Sequence, residues 1–254
     1  MERDRPESVQ ASRTTLRVLD ALRELDGAGV TELSRALDMP KSTVHRHLTA
    51  LEQEQFVTRD GDDYVVGLHL FQLGEYARKR KAVYCLAVPH TEEIAKETGE
   101  RSQFVVEEYG RGIYLHVAAG EHAVHTGFET GGEIQNLHST AAGKLFLAHM
   151  PTERRNRLLD EQDFPRRTEA TITDRNELLE GLVAVRERGY AFNCEENIEG
   201  LRTVSAPVIV DGTMLGALSV SGPTHRLKGE YFEETIPDLL LGATNELELR
   251  VEYD

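Results

Sequence analysis

Between Lys41 and Leu51 the chain sets Ser42, Thr43, His45, Arg46 and Thr49 against Val44, Leu48 and Leu51. Apolar residues four and three apart share one side of a helix, so the hydroxyls, imidazole and guanidinium occupy the other. That face suits double-stranded DNA, because a guanidinium can donate two bonds to guanine and hydroxyls pair with several base-edge groups. Ser42, Thr43 and Arg46 are the expected base readers, and Lys41, His45, His47 and Arg59 the expected phosphate neighbours.

The surrounding pattern supplies what such a helix needs. Leu16, Leu19, Leu22 and Leu25 predict a packing helix that Gly27 and Gly29 stop. Thr31 is a candidate N-cap for a short second helix carrying Leu33, Ala36 and Leu37, and Asp38-Met39-Pro40 forces a tight turn before the third. Phe56 to Arg59 and Tyr64 to Val66, separated by Asp60-Gly61-Asp62-Asp63, read as a hairpin or wing. Three helices and a wing over residues 12–67 make a winged helix-turn-helix, which puts its third helix in the major groove. Residues 1–11, charged and without apolar spacing, are expected to be disordered. Residues 68–82, with Leu70, Phe71, Leu73 and Ala77 closing in Arg78-Lys79-Arg80-Lys81, predict a linker helix, and a fresh helix is expected from about Pro89.

Residues 83–254 alternate strand and helix signals. Phe104 to Val106 and Ile113 to Val117 flank Gly110-Arg111-Gly112, and Val204 to Val210 and Met214 to Val220 flank Asp211-Gly212, a strong hairpin turn. Helices are expected over 140–150, 174–188 and from about Glu230 to Val251. Antiparallel hairpins mixed with helices indicate an α+β sensor-type domain rather than a doubly wound enzyme core.

Composition agrees. The 254 residues are 39% hydrophobic, enough for two modest cores. The net charge of -15 is unevenly placed: residues 1–82 hold 13 Lys plus Arg against 14 Asp plus Glu, and residues 83–254 hold 16 against 30. The acid therefore falls mainly outside the DNA-reading part, where it serves solubility or suits a salt-rich cytoplasm. No stretch is apolar enough to cross a bilayer, and Cys85 and Cys194 are too few for a disulfide framework or a structural zinc site. A soluble, cytoplasmic protein without membrane, cofactor or metal is expected.

Four segments now acquire a common meaning. Lys41-Ser42-Thr43-Val44-His45-Arg46-His47-Leu48, Thr140-Ala141-Ala142-Gly143-Lys144, Gly200-Leu201-Arg202-Thr203-Val204-Ser205-Ala206-Pro207 and Ser219-Val220-Ser221-Gly222-Pro223 resemble the IclR-type transcriptional regulators. The resemblance runs from about Ser12 to Val251. It implies a GAF-like effector domain behind the winged helix, a homodimer or homotetramer on pseudo-palindromic operators, and control of sugar or organic-acid catabolism. The positions matching the family's effector pocket are Ala141 and Ala142 through their backbone amides, Asn193, Thr203, Ser219 and Ser221. Their chemistry is coherent: consecutive N–H groups entering a helix favour an anion, and strand hydroxyls can bond its oxygens. A carboxylate, hydroxy acid or sugar derivative would fit. Some members carry an acidic side chain where Asn193 stands and a cysteine where Thr203 stands; asparagine both donates and accepts.

Other classes are weaker readings. No Gly-x-Ser-x-Gly elbow surrounds Ser219 or Ser221, and Ala142-Gly143-Lys144 lacks the first glycine of a phosphate loop, so the chain is not expected to be an enzyme. A metal-responsive regulator is suggested only by His116, His122, His125 and His138, none of them at helical i, i+4 spacing. A non-catalytic sensor adaptor would keep the fold and drop the DNA.

Overall fold

The computed structural model describes residues 9–124 and 129–253, and the chain divides into two compact units, residues 1–79 and 80–254. In the first, helices α1 (Gln10–Glu24), α2 (Val30–Ala36) and α3 (Lys41–Gln53) precede antiparallel strands β1 (Val57–Asp60) and β2 (Asp63–Val66). Of the stretch expected to be disordered, Gln10 and Ala11 already belong to α1, and residues 1–8 lie outside the described residues.

The buried residues of α1 are Thr14, Val18, Ala21 and Leu22, whereas Leu16 is 61% exposed and Leu25 also faces outward. Leucines spaced every three residues lag about 60° per step on a 3.6-residue helix, so the run from Leu16 to Leu25 cannot stay on one side. The N-cap of α2 is Gly29, not Thr31, because Ala28 is held to Tyr64 by paired backbone bonds of 3.0 and 3.1 Å and the chain leaves that bridge at once. The turn into α3 puts Asp38 at φ 50°, and Ser34 Oγ donates to the Met39 carbonyl at 2.6 Å. Val44, Leu48 and Leu51 then pack with Val18, Leu22, Leu33, Val57 and Tyr64 in one core. Helix α4 (His69–Lys79) buries no residue; Leu68 before it, and Phe71, Leu73 and Tyr76 on it, are exposed.

The second unit is a six-stranded antiparallel sheet covered on both faces. Its strands are β3 (Arg101–Glu108), β4 (Arg111–Ala119), β5 (Glu133–Ile134), β6 (Ala191–Cys194), β7 (Leu201–Val210) and β8 (Thr213–Pro223), in the spatial order β5-β4-β3-β8-β7-β6. The α+β class expected from the alternating signals is what forms. The β7–β8 hairpin turns at Asp211 and Gly212, both at positive φ as an Asp-Gly turn requires.

Helices α5 (Ala82–Thr98) and α9 (Ile236–Tyr253) cover one face, burying Phe104, Val204, Val208, Leu218 and Val220. A π-helical turn at Tyr231–Thr235 leads into α9, so the last helix is regular only from Ile236. Helix α5 begins at Ala82 rather than near Pro89, which sits inside it. A proline withholds one helical N–H, here the one that would reach Cys85. Cys85 is exposed, so water can serve the freed carbonyl, while Val83, Ala87, Thr91 and Ile94 bury one stripe across the break. Packing thus outweighs the lost bond.

Helices α6 (Ala141–His149), α7 (Thr152–Glu161) and α8 (Arg175–Arg188) cover the opposite face, with Leu145, Leu147, Leu178, Leu182, Val105 and Ala217 between them and the sheet.

Candidate DNA-reading face and ligand pocket

The outward side of α3 carries Lys41, Ser42, His45 and Arg46, all exposed, while Thr43 and His47 are half-buried. His47 Nδ1 lies 2.9 Å from Thr15 Oγ1 and so ties α3 to α1. Thr49 Oγ1 bonds the His45 carbonyl at 2.9 Å, the local back-bond usual for a helical threonine. Arg59 is committed in another way: its Nε donates to Glu52 at 3.1 Å, its Nη2 to the Tyr64 hydroxyl, and its guanidinium lies 4.6 Å from the centre of the Tyr64 ring. Lys41 and Arg46 have no ion-pair partner among the described residues, and neither does Arg35 on α2, which spacing alone did not single out. The wing tip is acidic, with Asp60, Asp62 and Asp63 exposed around Gly61.

The second cluster forms where four strands lie side by side under the head of α6. Register places Arg101 of β3 beside Ser221 of β8, Ser221 beside Thr203 of β7, and Thr203 beside Asn193 of β6. One step along, Gln103, Ser219, Ser205 and Ala191 form the next row. Because strand side chains alternate, both rows face the α6 layer while Ser102, Phe104, Val204 and Val220 face away. Val105 and Ala217 continue the same face into the apolar core. The sheet therefore passes from polar to apolar along its strands, and a cavity of about 460 Å³, mouth included, opens over the polar end.

Ala141, Ala142, Asn193, Thr203, Ser219 and Ser221 all line this cavity, together with Arg101, Gln103, Tyr114 and Ser205. Thr140 caps α6, its hydroxyl accepting from Gly143 N at 3.1 Å, which leaves the Ala141 and Ala142 N–H groups without a helical partner. The hydroxyls are paired across the sheet, Ser205 with Ser219 at 2.7 Å and Thr203 with Ser221 at 3.0 Å, and Ser221 donates to Gln103 Oε1 at 3.2 Å. Burial pushes the Tyr114 hydroxyl up to about 12, so it stays a neutral donor.

Asn193 holds the wall together. Its Nδ2 donates to the Ser139 carbonyl at 3.0 Å and its Oδ1 accepts from Glu196 N at 2.8 Å, so its amide bridges the 3-10 turn Leu137–Ser139 and the loop after β6. That loop is pinned again by Lys144, whose Nζ lies 2.6 Å from Glu196 Oε1 with both side chains 9% exposed. Lys144 thus serves an acid rather than the cavity. Gly143 is a close-packing residue: a Cβ there would stand 2.1 Å from the Leu137 carbonyl oxygen.

Among the described residues the histidines do not assemble. His116 faces Glu92 at 3.6 Å and His138 is buried edge-on to Phe164; His125 lies outside the described residues. Among the described residues no group of three or more His, Cys, Asp or Glu is placed to hold a metal ion, and no helix is long and apolar enough to cross a membrane.

Comparison with known proteins decides what this pair of sites belongs to. Residues 14–61 match the IclR helix-turn-helix domain, and residues 77–246 match the bacterial transcriptional regulator IclR C-terminal domain. The chain belongs to the IclR family.

Its similarity to other IclR-family proteins is full-length. A probable HTH-type transcriptional regulator, ArcR, of Halobacterium salinarum is 34% identical over 254 residues, covering 97% of this chain and 95% of that one. The regulator KdgR of Escherichia coli is 32% identical, covering 94% and 91%. The solved IclR-type regulator of Alicyclobacillus acidocaldarius superposes with a TM-score of 0.81 at 28% identity, over 96% of this chain and 99% of that one. The chain is a ligand-responsive transcriptional regulator and not an enzyme. Within the IclR-family frame, sequence reading passed over Arg101, Gln103, Tyr114 and Ser205. The available signal was alternation: Arg101 and Gln103 are polar at i and i+2 of one strand, as Thr203 and Ser205 are in another.

Proposed function

We propose that this regulator acts in the cytoplasm as a homodimer or homotetramer, reading two half-sites of a pseudo-palindromic operator through α3 and releasing or engaging them when a small effector fills the cavity beneath α6. The observation that carries the reading is the division of α3, with Val44, Leu48 and Leu51 buried and Lys41, Ser42, His45 and Arg46 exposed. Free cations and hydroxyls on a rigid helix can reach both phosphates and base edges.

Subunit pairing is supported by α4, an amphipathic helix whose Phe71, Leu73 and Tyr76 lie exposed. A second copy of the chain would cover them. Two recognition helices held by one dimer are sensitive to their separation, so an effector that favours one pairing shifts DNA affinity by its differential affinity for the two arrangements. The cavity's two free helix N–H groups, its hydroxyls and its modest size support a carboxylate, hydroxy acid or sugar derivative, and with it control of a catabolic pathway for a sugar or organic acid.

The test is binding of the purified full-length chain to genomic fragments, followed by a salt titration on the best fragment. Arg46→Ala should weaken binding roughly 10- to 100-fold if Arg46 reads a guanine edge, as a good bidentate pair does. Equal affinity of Arg46→Ala and the parent for the operator would remove Arg46 from the reading face.

A further inference from the structure

Arg101 is the feature of the cavity that a hydroxyl-lined pocket does not require. It is 5% exposed, it lines the cavity, and one terminal nitrogen is sealed from solvent without a hydrogen-bond partner. A guanidinium stays charged at any physiological pH and presents five donors in a planar fork. Burying it without a partner is costly, so chains seldom keep one there without a function. Glu129 is the carboxylate whose field reaches Arg101, and it is exposed, where water screens it. The surroundings point the same way. Arg101 heads the row that continues through Ser221 to Thr203, and the unused Ala141 and Ala142 N–H groups enter the same cavity. Two sources of positive potential thus bound a hydroxyl floor, with Val105 and Ile134 as apolar wall.

We propose that Arg101 is the acid receptor of this regulator: its guanidinium takes both oxygens of a carboxylate on a small organic acid, whose remaining polar groups lie along Ser221 and Thr203 towards the head of α6. The inference rests on the reading of this cavity as the effector site and narrows it, because a neutral sugar or alcohol would leave the buried cation unpaired. A bidentate carboxylate matches the fork in a way that a hydroxyl cannot. Gln103 positions the arrangement: its Nε2 donates to the Arg101 carbonyl at 3.3 Å and its Oε1 accepts from Ser221, which orients that hydroxyl.

Calorimetric titration and thermal melting of the full chain provide the test, with pyruvate, 4-hydroxybenzoate and gluconate as acids, pyruvamide, 4-hydroxybenzamide and glucose as neutral counterparts, and inorganic phosphate as a competing anion. At least one acid should bind while its neutral counterpart does not at a 100-fold higher concentration. Arg101→Met should weaken the best acid roughly 10- to 100-fold, the range for losing hydrogen bonds to a charged partner, and Arg101→Lys should fall between. Without ligand, Arg101→Met should melt at or above the parent temperature, since it removes an unpaired buried charge.

Neutral counterparts that bind as well as the acids, phosphate that outcompetes every acid, or an Arg101→Met variant that binds acid normally overturns the assignment. A lower melting point for both Arg101→Met and Arg101→Lys also overturns it, marking Arg101 as a structural cation. The double variant Ser219→Ala, Ser221→Ala separates the two levels. If it abolishes acid binding while Arg101→Met does not, the cavity is the effector site and only the role of Arg101 is wrong. If it leaves acid binding unmoved, or if no acid binds at millimolar concentration, the cavity reading fails as well.

Discussion

Replacing Lys144 with Met tests how the cavity is held shut from behind. Lys144 and Glu196 sit 2.6 Å apart and each side chain is 9% exposed. Among the described residues, Glu196 Oε1 accepts besides Lys144 only the Cys194 N–H, at 3.3 Å, and Oε2 is buried with no partner. Methionine fills the space of the lysine stem but leaves that carboxylate almost alone in a low-dielectric site. Breaking a buried pair from one side costs about 3–5 kcal/mol, mostly as uncompensated charge rather than lost attraction. For a unit of this size that is a fall of roughly 10 °C in melting temperature. Adding Glu196→Gln removes the stranded charge and should restore at least half of the loss, because an amide keeps the acceptor for Cys194. Calorimetry of the four proteins in the cycle gives the coupling directly. Melting of Lys144→Met within about 2 °C of the parent, or no recovery in the double variant, would refute the argument.

Gly143→Ala should cost about 1–3 kcal/mol and weaken effector binding, since the new methyl meets the Leu137 carbonyl and pushes the head of α6 off the 3-10 turn; melting and titration together check it. Acid should destabilise the second unit. Burial holds His90, His138 and His149 below their ordinary value of 6.5. Below about pH 6.5 the unfolded chain therefore takes up protons that the folded rings refuse, stability falls as pH drops, and the loss levels off once the pH passes the folded values. Urea midpoints between pH 7.5 and 5 should show this slope, and His138→Gln should make it shallower.

Helix α3 was legible because its signal is local. Val44, Leu48 and Leu51 recur within three turns, and whichever side they bury leaves Ser42 and Arg46 on the other. The same holds for the hairpin at Asp211-Gly212, where two adjacent residues at positive φ dictate the reversal. Starting points of α1, α2 and α5 were read less well. Whether Leu16 is buried, whether Gly29 or Thr31 opens α2, and whether a helix runs through Pro89 depend on what packs against those segments.

The family resemblance in the sequence pointed to Ala141, Ala142, Asn193, Thr203, Ser219 and Ser221, and all six line one cavity. What each side chain is free to do was decided only by tertiary contacts. Arg59 looks in sequence like any wing cation, yet Glu52 and Tyr64 occupy it. Asn193 looks like a ligand for hydroxyls, yet its amide spends both ends on backbone groups of two other segments. Arg101 looks like one more charged residue near a strand end, yet register across β3, β8 and β7 buries it beside the hydroxyls of Ser221 and Thr203, far along the chain. Periodicity within a helix or strand fixes which face a side chain joins. Only the fold, by bringing distant faces into contact, fixes whether its charge or hydrogen-bonding groups are still unclaimed.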